Sequence, residues 1–172
     1  LKNDEWDFLR QQPQLKRLAI WHAQGISSLA GFTGLKVESL TIGGCMGIRD
    51  HNRNDPAKHR DAVLTLKNLP NLKSLSLYHT PLTADDSHIT HIVKEFPQLT
   101  ELRLDFATPR GTAVDITPPG LTRLHGLPLV KLTIENIHPF AAAHMEAIAT
   151  IPSLKILVID ARKKPVAQAL VE

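Results

Sequence analysis

Apolar residues recur along the chain in one short pattern, aliphatic-x-x-aliphatic-x-aliphatic. The alternation between its second and third anchors is typical of a strand with one buried face. The six copies are Leu15-Leu18-Ile20, Val37-Leu40-Ile42, Leu72-Leu75-Leu77, Leu99-Leu102-Leu104, Leu129-Leu132-Ile134 and Leu154-Leu157-Ile159. We therefore predict six strands near residues 15–21, 37–43, 72–78, 99–105, 129–135 and 154–160.

Prolines hold a fixed position in most of these copies. In four of the six, a proline lies two residues before the first anchor: Pro13, Pro70, Pro97 and Pro152. About three matches to the apolar pattern alone would arise by chance, so the shared proline is what makes the signal specific. Successive first anchors are 22, 35, 27, 30 and 25 residues apart. This spacing indicates a repeated structural unit with an insertion in the second copy.

A second apolar series precedes the last four strands at spacings of three and four residues. Such spacings place the residues on one face of a helix, which must be buried. The four series are Val63-Leu66-Leu69, Ile89-Ile92/Val93-Phe96, Leu121-Leu124-Leu127 and Met145-Ile148-Ile151. Asp85-Asp86 and Pro118-Pro119 are typical helix starts. The predicted unit is a helix, a proline turn, a short strand and a return loop.

Two of the copies resemble a known family of repeats along their length. Leu66-x-x-Leu69-Pro70-x-Leu72-x-x-Leu75-x-Leu77-x-x-Thr80-x-Leu82 and Ile148-x-x-Ile151-Pro152-x-Leu154-x-x-Leu157-x-Ile159 resemble leucine-rich repeats, whose period is about 20–29 residues. The longer copies are similar to the helix-containing ribonuclease-inhibitor and cysteine-containing subtypes. The segment Leu124-His125-Gly126-Leu127-Pro128-Leu129 is more similar to shorter bacterial repeats.

The resemblance spans about residues 5–160 and implies an α/β fold. It implies a curved leucine-rich-repeat solenoid of about six repeats, with a parallel β-sheet on the concave face and helices on the convex face. We expect residues 1–172 to form a single such domain, with an insertion loop at 43–57 and a C-terminal tail at 163–172. Residues 3–12 are expected to form an N-terminal cap in which Trp6, Phe8 and Leu9 pack under Leu18.

One family position departs from its usual pattern. Three residues after the last strand anchor, the family usually has Asn or Cys, which bonds to the backbone of adjacent loops. In this chain the position holds Ala23, Cys45, Thr80, Ala107, Ile137 and Arg162. Only the cysteine and the threonine could make such bonds, so we expect an irregular loop spine.

Residues that alternate with the inward anchors are expected to line the concave face. Trp21-His22 and Tyr78-His79 occupy equivalent positions in different repeats, where no core requires aromatic residues. Trp and Tyr are favoured as binding anchors. The predicted partner-binding surface comprises Arg17, Trp21, His22, Tyr78, His79, Arg103, Asp105, Glu135 and Asp160.

The surface divides into an aromatic zone and a charged zone. In the charged zone, Asp105, Glu135 and Asp160 are predicted to form an acidic column beside Arg103 and Lys131. The alternative is an ordinary solvated sheet face, on which the aromatic residues merely brace neighbouring strands. Solenoids commonly present such faces for recognition, which favours binding.

Charge and composition narrow the range of partners. Lys and Arg total 20 against 17 Asp and Glu, and the resulting charge of +3 is spread along the chain. Nucleic-acid binding is not expected without a coherent basic face. No apolar run is long enough for a membrane span, and the single cysteine excludes an internal disulfide. The compartment is unknown, with the cytoplasm favoured because no signal peptide is visible.

The nine histidines raise the question of a metal site or a catalytic site. His51, Asp55 and His59 are spaced by four residues, as zinc ligands on a helix can be. Pro56 interrupts that helix and the Asn- and Asp-rich sequence favours a solvated loop. His88 and His91 are expected on the outer side of their helix. No consistent partner is evident for the histidines at 125, 138 and 144.

The chain lacks the sequence motifs of common enzyme classes. No nucleophile elbow, phosphate loop or dinucleotide fingerprint is present, so we expect no enzymatic activity and no cofactor. The sequence therefore predicts a module that binds a protein or peptide on the concave face. Two alternatives remain open: a structural spacer in a larger multidomain protein, and a metal site in the loop at 49–61.

Overall fold

A single parallel sheet organises the computed structural model, which describes residues 6–22, 28–44, 63–78, 85–105, 116–137 and 140–160. The strands are β1 (Arg17–Trp21), β2 (Ser39–Gly43), β3 (Ser74–Tyr78), β4 (Glu101–Asp105), β5 (Lys131–Glu135) and β6 (Ile156–Asp160). They lie in chain order, and each pairs in parallel with the next. The fold is α/β.

Short helical segments alternate with these strands. The α-helices among the described residues are α1 (Asp7–Arg10), α2 (Asp86–Glu95), α3 (Pro118–Thr122) and α4 (Ala142–Ala149), and the 3-10 turns are Ala30–Phe32, Val63–Thr65 and Arg123–Gly126. Helix α2 begins beside Asp85, whose side chain accepts a hydrogen bond from the Ser87 N–H, and α3 has prolines in its first turn. Both starts agree with the sequence signals for helix N-termini.

The first predicted helical series forms only a 3-10 turn. Val63, Leu66 and Leu69 are all buried, but the helical hydrogen bonding ends at Thr65. Asn68 then has a φ of 51°, in the left-handed region. A right-handed helix cannot continue through that conformation.

Each strand begins two residues later than the sequence predicts and ends where predicted. The first anchor of each copy lies before the strand, and in four copies its N–H closes the turn that precedes the strand. The Leu72 N–H donates to the Leu69 carbonyl at 3.1 Å, and the Leu99 N–H donates to the Phe96 carbonyl at 3.1 Å. Both leucines are buried even though their backbone belongs to the turn.

The same hydrogen-bond pattern joins neighbouring strands where they start. The N–H groups of Lys73 and Ser74 both donate to the Glu38 carbonyl, at 2.8 and 3.0 Å. The acceptors at the four other junctions are the carbonyls of Lys16, Lys73, Thr100 and Val130. Equivalent residues of the six strands therefore form straight rows across the sheet.

The core lies between the sheet and the helical segments. All three anchors of the four central copies are buried, whereas Leu15, Leu18, Leu154 and Leu157 at the two ends of the sheet are only partly buried. Helix α2 contributes Ile89 and Ile92 to this core.

Two apolar residues that were predicted to be buried are exposed. Met145 lies one residue from the buried His144 on α4, and Phe8 lies one residue from the buried Leu9 on α1. Consecutive helical residues point about 100° apart, so a residue next to a buried one can face solvent. Trp6 is buried as predicted and contacts Phe32 edge-on, with ring centroids 4.9 Å apart.

Polar side chains also connect neighbouring units at the proline turns. Asn71, Gln98 and Ser153 each follow a turn proline, and each donates to a main-chain carbonyl of the preceding unit at 3.4, 3.1 and 2.8 Å. The expected Asn or Cys spine falls outside the described residues except at Ile137, which is buried. The observed polar links therefore lie at the other end of the strands.

Candidate functional site

A row of residues at the carboxyl ends of the first three strands forms the centre of the site. Trp21, Gly43 and Tyr78 are aligned in register. A Cβ atom placed on Gly43 would lie 2.4 Å from both Cε3 and Cζ3 of Trp21. The indole ring therefore lies over the glycine backbone, and 50% of the residue stays exposed.

The residues that follow this row have an unusual backbone conformation. His22 has a φ of 52° and Gly44 a φ of 57°. Their N–H groups donate to the carbonyls of Gly43 and Tyr78, at 3.0 and 2.9 Å. A Cβ on Gly44 would lie 2.8 Å from Nδ1 of His22. The two adjacent glycines thus make room for the rings of Trp21 and His22 above β2.

Tyr78 is held between an aromatic and a cationic neighbour. The rings of Trp21 and Tyr78 meet edge to face, with centroids 5.9 Å apart and an interplanar angle of 68°. Cζ of Arg103 lies 4.2 Å from the centroid of the Tyr78 ring. The indole comes from the β1 side and the guanidinium from the β4 side. Such aromatic and cation–π contacts each favour one ring position.

A bidentate ion pair extends this chain of contacts to β5. Nε and Nη2 of Arg103 donate to the two carboxylate oxygens of Glu135, both at 2.9 Å. Only 16% of the glutamate side chain is exposed. Two parallel hydrogen bonds fix the plane of the guanidinium group. Trp21, Tyr78, Arg103 and Glu135 therefore form one continuous series of contacts across five strands.

The predicted acidic column has a different role in the structure. Asp105 has no exposed surface and accepts a hydrogen bond of 2.7 Å from Nδ2 of Asn136. Glu135 is engaged by Arg103, and Asp160 is partly buried. The three carboxylates therefore do not form an open acidic strip. Asp105 is fully covered, and the carboxylate of Glu135 is bonded to Arg103.

The remaining predicted site residues lie apart from this series. Arg17 is exposed at the start of β1, at the opposite end of the strand from Trp21. His79, most of the loop at 43–57, the metal-loop candidates at 49–61 and the tail at 163–172 lie outside the described residues. Across the described parts of the chain, no three His, Cys, Asp or Glu side chains are grouped to hold a metal ion.

A groove of about 270 Å³ lies beside the ion pair on the same face of the sheet. Arg103 forms one wall of it. Its other polar or exposed lining residues are Ser74, Ser76, Glu101, Lys131, Thr133 and Val158. The sequence placed each of these residues on the concave face but gave no indication of a groove.

Two histidines have a structural role that the sequence interpretation missed. His88 is buried, so its predicted place on the outer side of α2 is wrong. Its Nδ1 accepts the Asp85 N–H at 3.3 Å, and Nδ1 of His144 accepts the Ala141 N–H at 3.1 Å. Both histidines stand three residues after the N-cap position of a helix, where a capping box has Glu or Gln, although the Ala141 side chain makes no capping bond. For His88, its position three residues after the capping residue Asp85 was the sequence signal for this role.

The acidic cap beside His88 has a shifted pKa. Burial raises the pKa of Asp85, but hydrogen bonds from the hydroxyl and the N–H of Ser87, together with the proximity of His88, outweigh burial and hold the pKa below its usual range. The carboxylate therefore stays ionised at the N-terminus of α2, where the helix dipole favours a negative charge. This cluster lies on the helical side of the sheet and stabilises the scaffold.

Two further findings concern membrane spanning and similarity to known proteins. None of the described helices is both long enough and apolar enough to cross a membrane. Comparison of the sequence with models of known protein families and with curated proteins finds no match.

Proposed function

We propose that the chain is a leucine-rich-repeat solenoid that binds a protein or peptide on the concave face of its sheet, without enzymatic activity or a cofactor. The observation that carries this proposal is the contact series from Trp21 through Tyr78 and Arg103 to Glu135. It holds a half-exposed tryptophan in one position on an open sheet face. Rigid aromatic anchors of this kind dominate the energy of many protein interfaces.

The regularity of the backbone supports the solenoid. The same double hydrogen bond to a preceding carbonyl occurs at all five strand junctions. Side chains that follow the turn prolines bond to the preceding unit in three copies. A chain in which each unit contacts mainly its neighbours is typical of repeat proteins.

The polar groups of the face are arranged for recognition rather than for catalysis. Arg103 bonds to Glu135 in a bidentate pair, and the Ser74 hydroxyl donates to Glu101 at 3.2 Å. The base of a catalytic nucleophile is usually oriented by a third group, and no described side chain other than Ser74 bonds to the Glu101 carboxylate. Such pairs define the shape and charge of the surface.

A structural spacer is the second candidate function. The edge-to-face contact between Trp21 and Tyr78 also braces β1 against β3 above Gly43. If bracing were its only role, the two rings would contribute to stability and nothing else. The two functions differ in what happens to binding when both rings are removed.

An affinity capture experiment separates them. Wild-type protein is compared with the Trp21→Ala/Tyr78→Ala double variant and with a Phe8→Ala/Met145→Ala control, which removes exposed apolar side chains outside the sheet. Recognition through the concave face predicts a partner that the wild type and the control retain and that the first variant loses. Retention of the same proteins by all three would favour the spacer.

A further inference from the structure

One row of side chains forms the floor of the groove. Ser76, Arg103, Thr133 and Val158 are aligned in register on β3 to β6. Neighbouring strands lie about 4.8 Å apart, so these residues follow one another along the row at that backbone interval. Lys131 adds an ammonium group from the adjacent row.

Most of the hydrogen-bond donors in this groove lack a partner within the described residues. Glu135 engages Nε and Nη2 of Arg103, and the structure shows no bond to Nη1. The exposed Lys131 makes no ion pair with any described residue, and no bond is seen to the hydroxyls of Ser76 and Thr133. Four donor groups thus face the same space.

The two carboxylates at the groove each already accept a hydrogen bond from a described side chain. Glu101 is the carboxylate among the lining residues, and it accepts the hydroxyl of Ser74. Glu135 holds the guanidinium group from the side. A ligand that brings acceptor atoms would satisfy the remaining donors, and a carboxylate accepts from guanidinium and ammonium groups in strong, charge-assisted bonds.

The end of the groove at β6 is apolar. Val158 and its neighbour Ile156 are both exposed on this strand. The midpoint between β4 and β5 lies about 7 Å from β6, which matches two residues of an extended peptide. An acidic residue over Arg103 and Lys131 would therefore place the second residue after it against the two aliphatic side chains.

We infer that the groove binds an extended acidic peptide segment of the form acidic-x-aliphatic. The carboxylate lies on Nη1 of Arg103 and on the ammonium group of Lys131, and the aliphatic side chain lies on Val158 and Ile156. This inference rests on the proposed function and names the chemistry of its partner. It assigns the aromatic pair of Trp21 and Tyr78 to a neighbouring part of the same ligand.

NMR titration with short blocked peptides tests the inference. The probes are acetyl-Gly-Glu-Gly-Val-Gly-amide, the same peptide with Gln in place of Glu, and the same peptide with Ser in place of Val. Shifts are followed at the backbone amides of Ser76 and Thr133. We expect each altered peptide to bind about fivefold more weakly than the first, the loss of one ion pair or one apolar contact.

Charge variants locate the carboxylate. Lys131→Glu should abolish the preference for Glu over Gln, whereas Lys67→Glu should preserve it. Lys67 is exposed in the segment before the Pro70 turn, so the control makes the same charge change outside the groove. Equal affinity for the Glu and Gln peptides, or an equal effect of both variants, would overturn the inference.

Two further outcomes separate this inference from the proposed function. Absence of shifts with all three peptides at roughly 5 mM would refute an acidic-x-aliphatic ligand. If a captured partner still depends on Trp21 and Tyr78, recognition through the concave face stands and only its acidic character is wrong. If capture also ignores both aromatic residues, the proposed function fails as well.

Discussion

Substitution of Gly43 by alanine displaces the central aromatic residue of the site. The new methyl group would lie 2.4 Å from Cε3 and Cζ3 of Trp21. Non-bonded carbon atoms pack at about 3.5–4.0 Å, so the indole ring has to move by more than about 1 Å. The side chain has room to do so, because it already lies half in solvent.

The energies of this change nearly cancel. Loss of the edge-to-face contact between Trp21 and Tyr78 costs about 0.5–1.5 kcal/mol. Replacement of a glycine inside a strand gains about 0.5–1 kcal/mol from reduced backbone entropy in the unfolded chain. We therefore expect the free energy of unfolding of Gly43→Ala to stay within about 1 kcal/mol of wild type while the position of the ring changes.

Acrylamide quenching of fluorescence reports the ring position. Trp6 is buried, so quenching comes mainly from Trp21, whose 50% exposure can at most double when the ring is released. We expect the quenching constant to rise by up to about twofold in Gly43→Ala and the near-ultraviolet circular dichroism of the coupled rings to fall.

The control is Gly126→Ala, whose new methyl group would meet Val93 at an ordinary 3.6 Å. Its fluorescence quenching should match that of the wild type. If Gly43→Ala also behaves as the wild type does, the indole ring does not lie over β2 and the contact series from Trp21 to Glu135 does not exist.

Three further predictions concern the scaffold. In Gly120→Ala, the new Cβ would lie 1.9 Å from Oδ1 of Asp86, which accepts the Thr117 N–H. We expect the free energy of unfolding, measured with denaturant, to fall by about 1–3 kcal/mol, even though alanine favours the helix over glycine by about 1 kcal/mol. Unchanged stability would show that Gly120 and Asp86 are not in close contact. His144→Ala removes the acceptor for the Ala141 N–H. This substitution should lower the free energy of unfolding by about 1–2 kcal/mol in the same assay, and an unchanged value would show that the hydrogen bond does not stabilise the fold. The lowered folded-state pKa of Asp85 stabilises the fold fully above its unfolded value of about 3.9. That stability is lost as pH falls through the folded value, so the stability gap between wild type and Asp85→Asn should narrow in acid, whereas a constant gap would contradict the shift.

The sequence predicts the strands well because burial imposes a period of two. The second and third anchors of each copy, such as Leu75 and Leu77, are the inward residues of a strand. The first anchor follows the same apolar pattern but lies before the strand, in four copies within the turn after a proline. An apolar residue looks the same in sequence whether a strand or a turn carries it inward, so the start of each strand was misplaced.

The site was predicted only in part because its geometry depends on contacts between strands. Equivalence between repeats is enough to bring Trp21 and Tyr78 onto one row. It does not show that Arg103 reaches across to Glu135, or that Asp105 lies covered beside Asn136. Such contacts depend on side-chain rotamers and on loop conformation, which apolar periodicity does not determine.

Recognition through the concave face is tested by the affinity of a captured partner for two matched double variants. We expect Trp21→Ala/Tyr78→Ala to weaken binding by at least about tenfold, while Phe8→Ala/Met145→Ala stays within about twofold of wild type. Equal affinity of the two variants, with both folded by circular dichroism, would contradict recognition through the concave face.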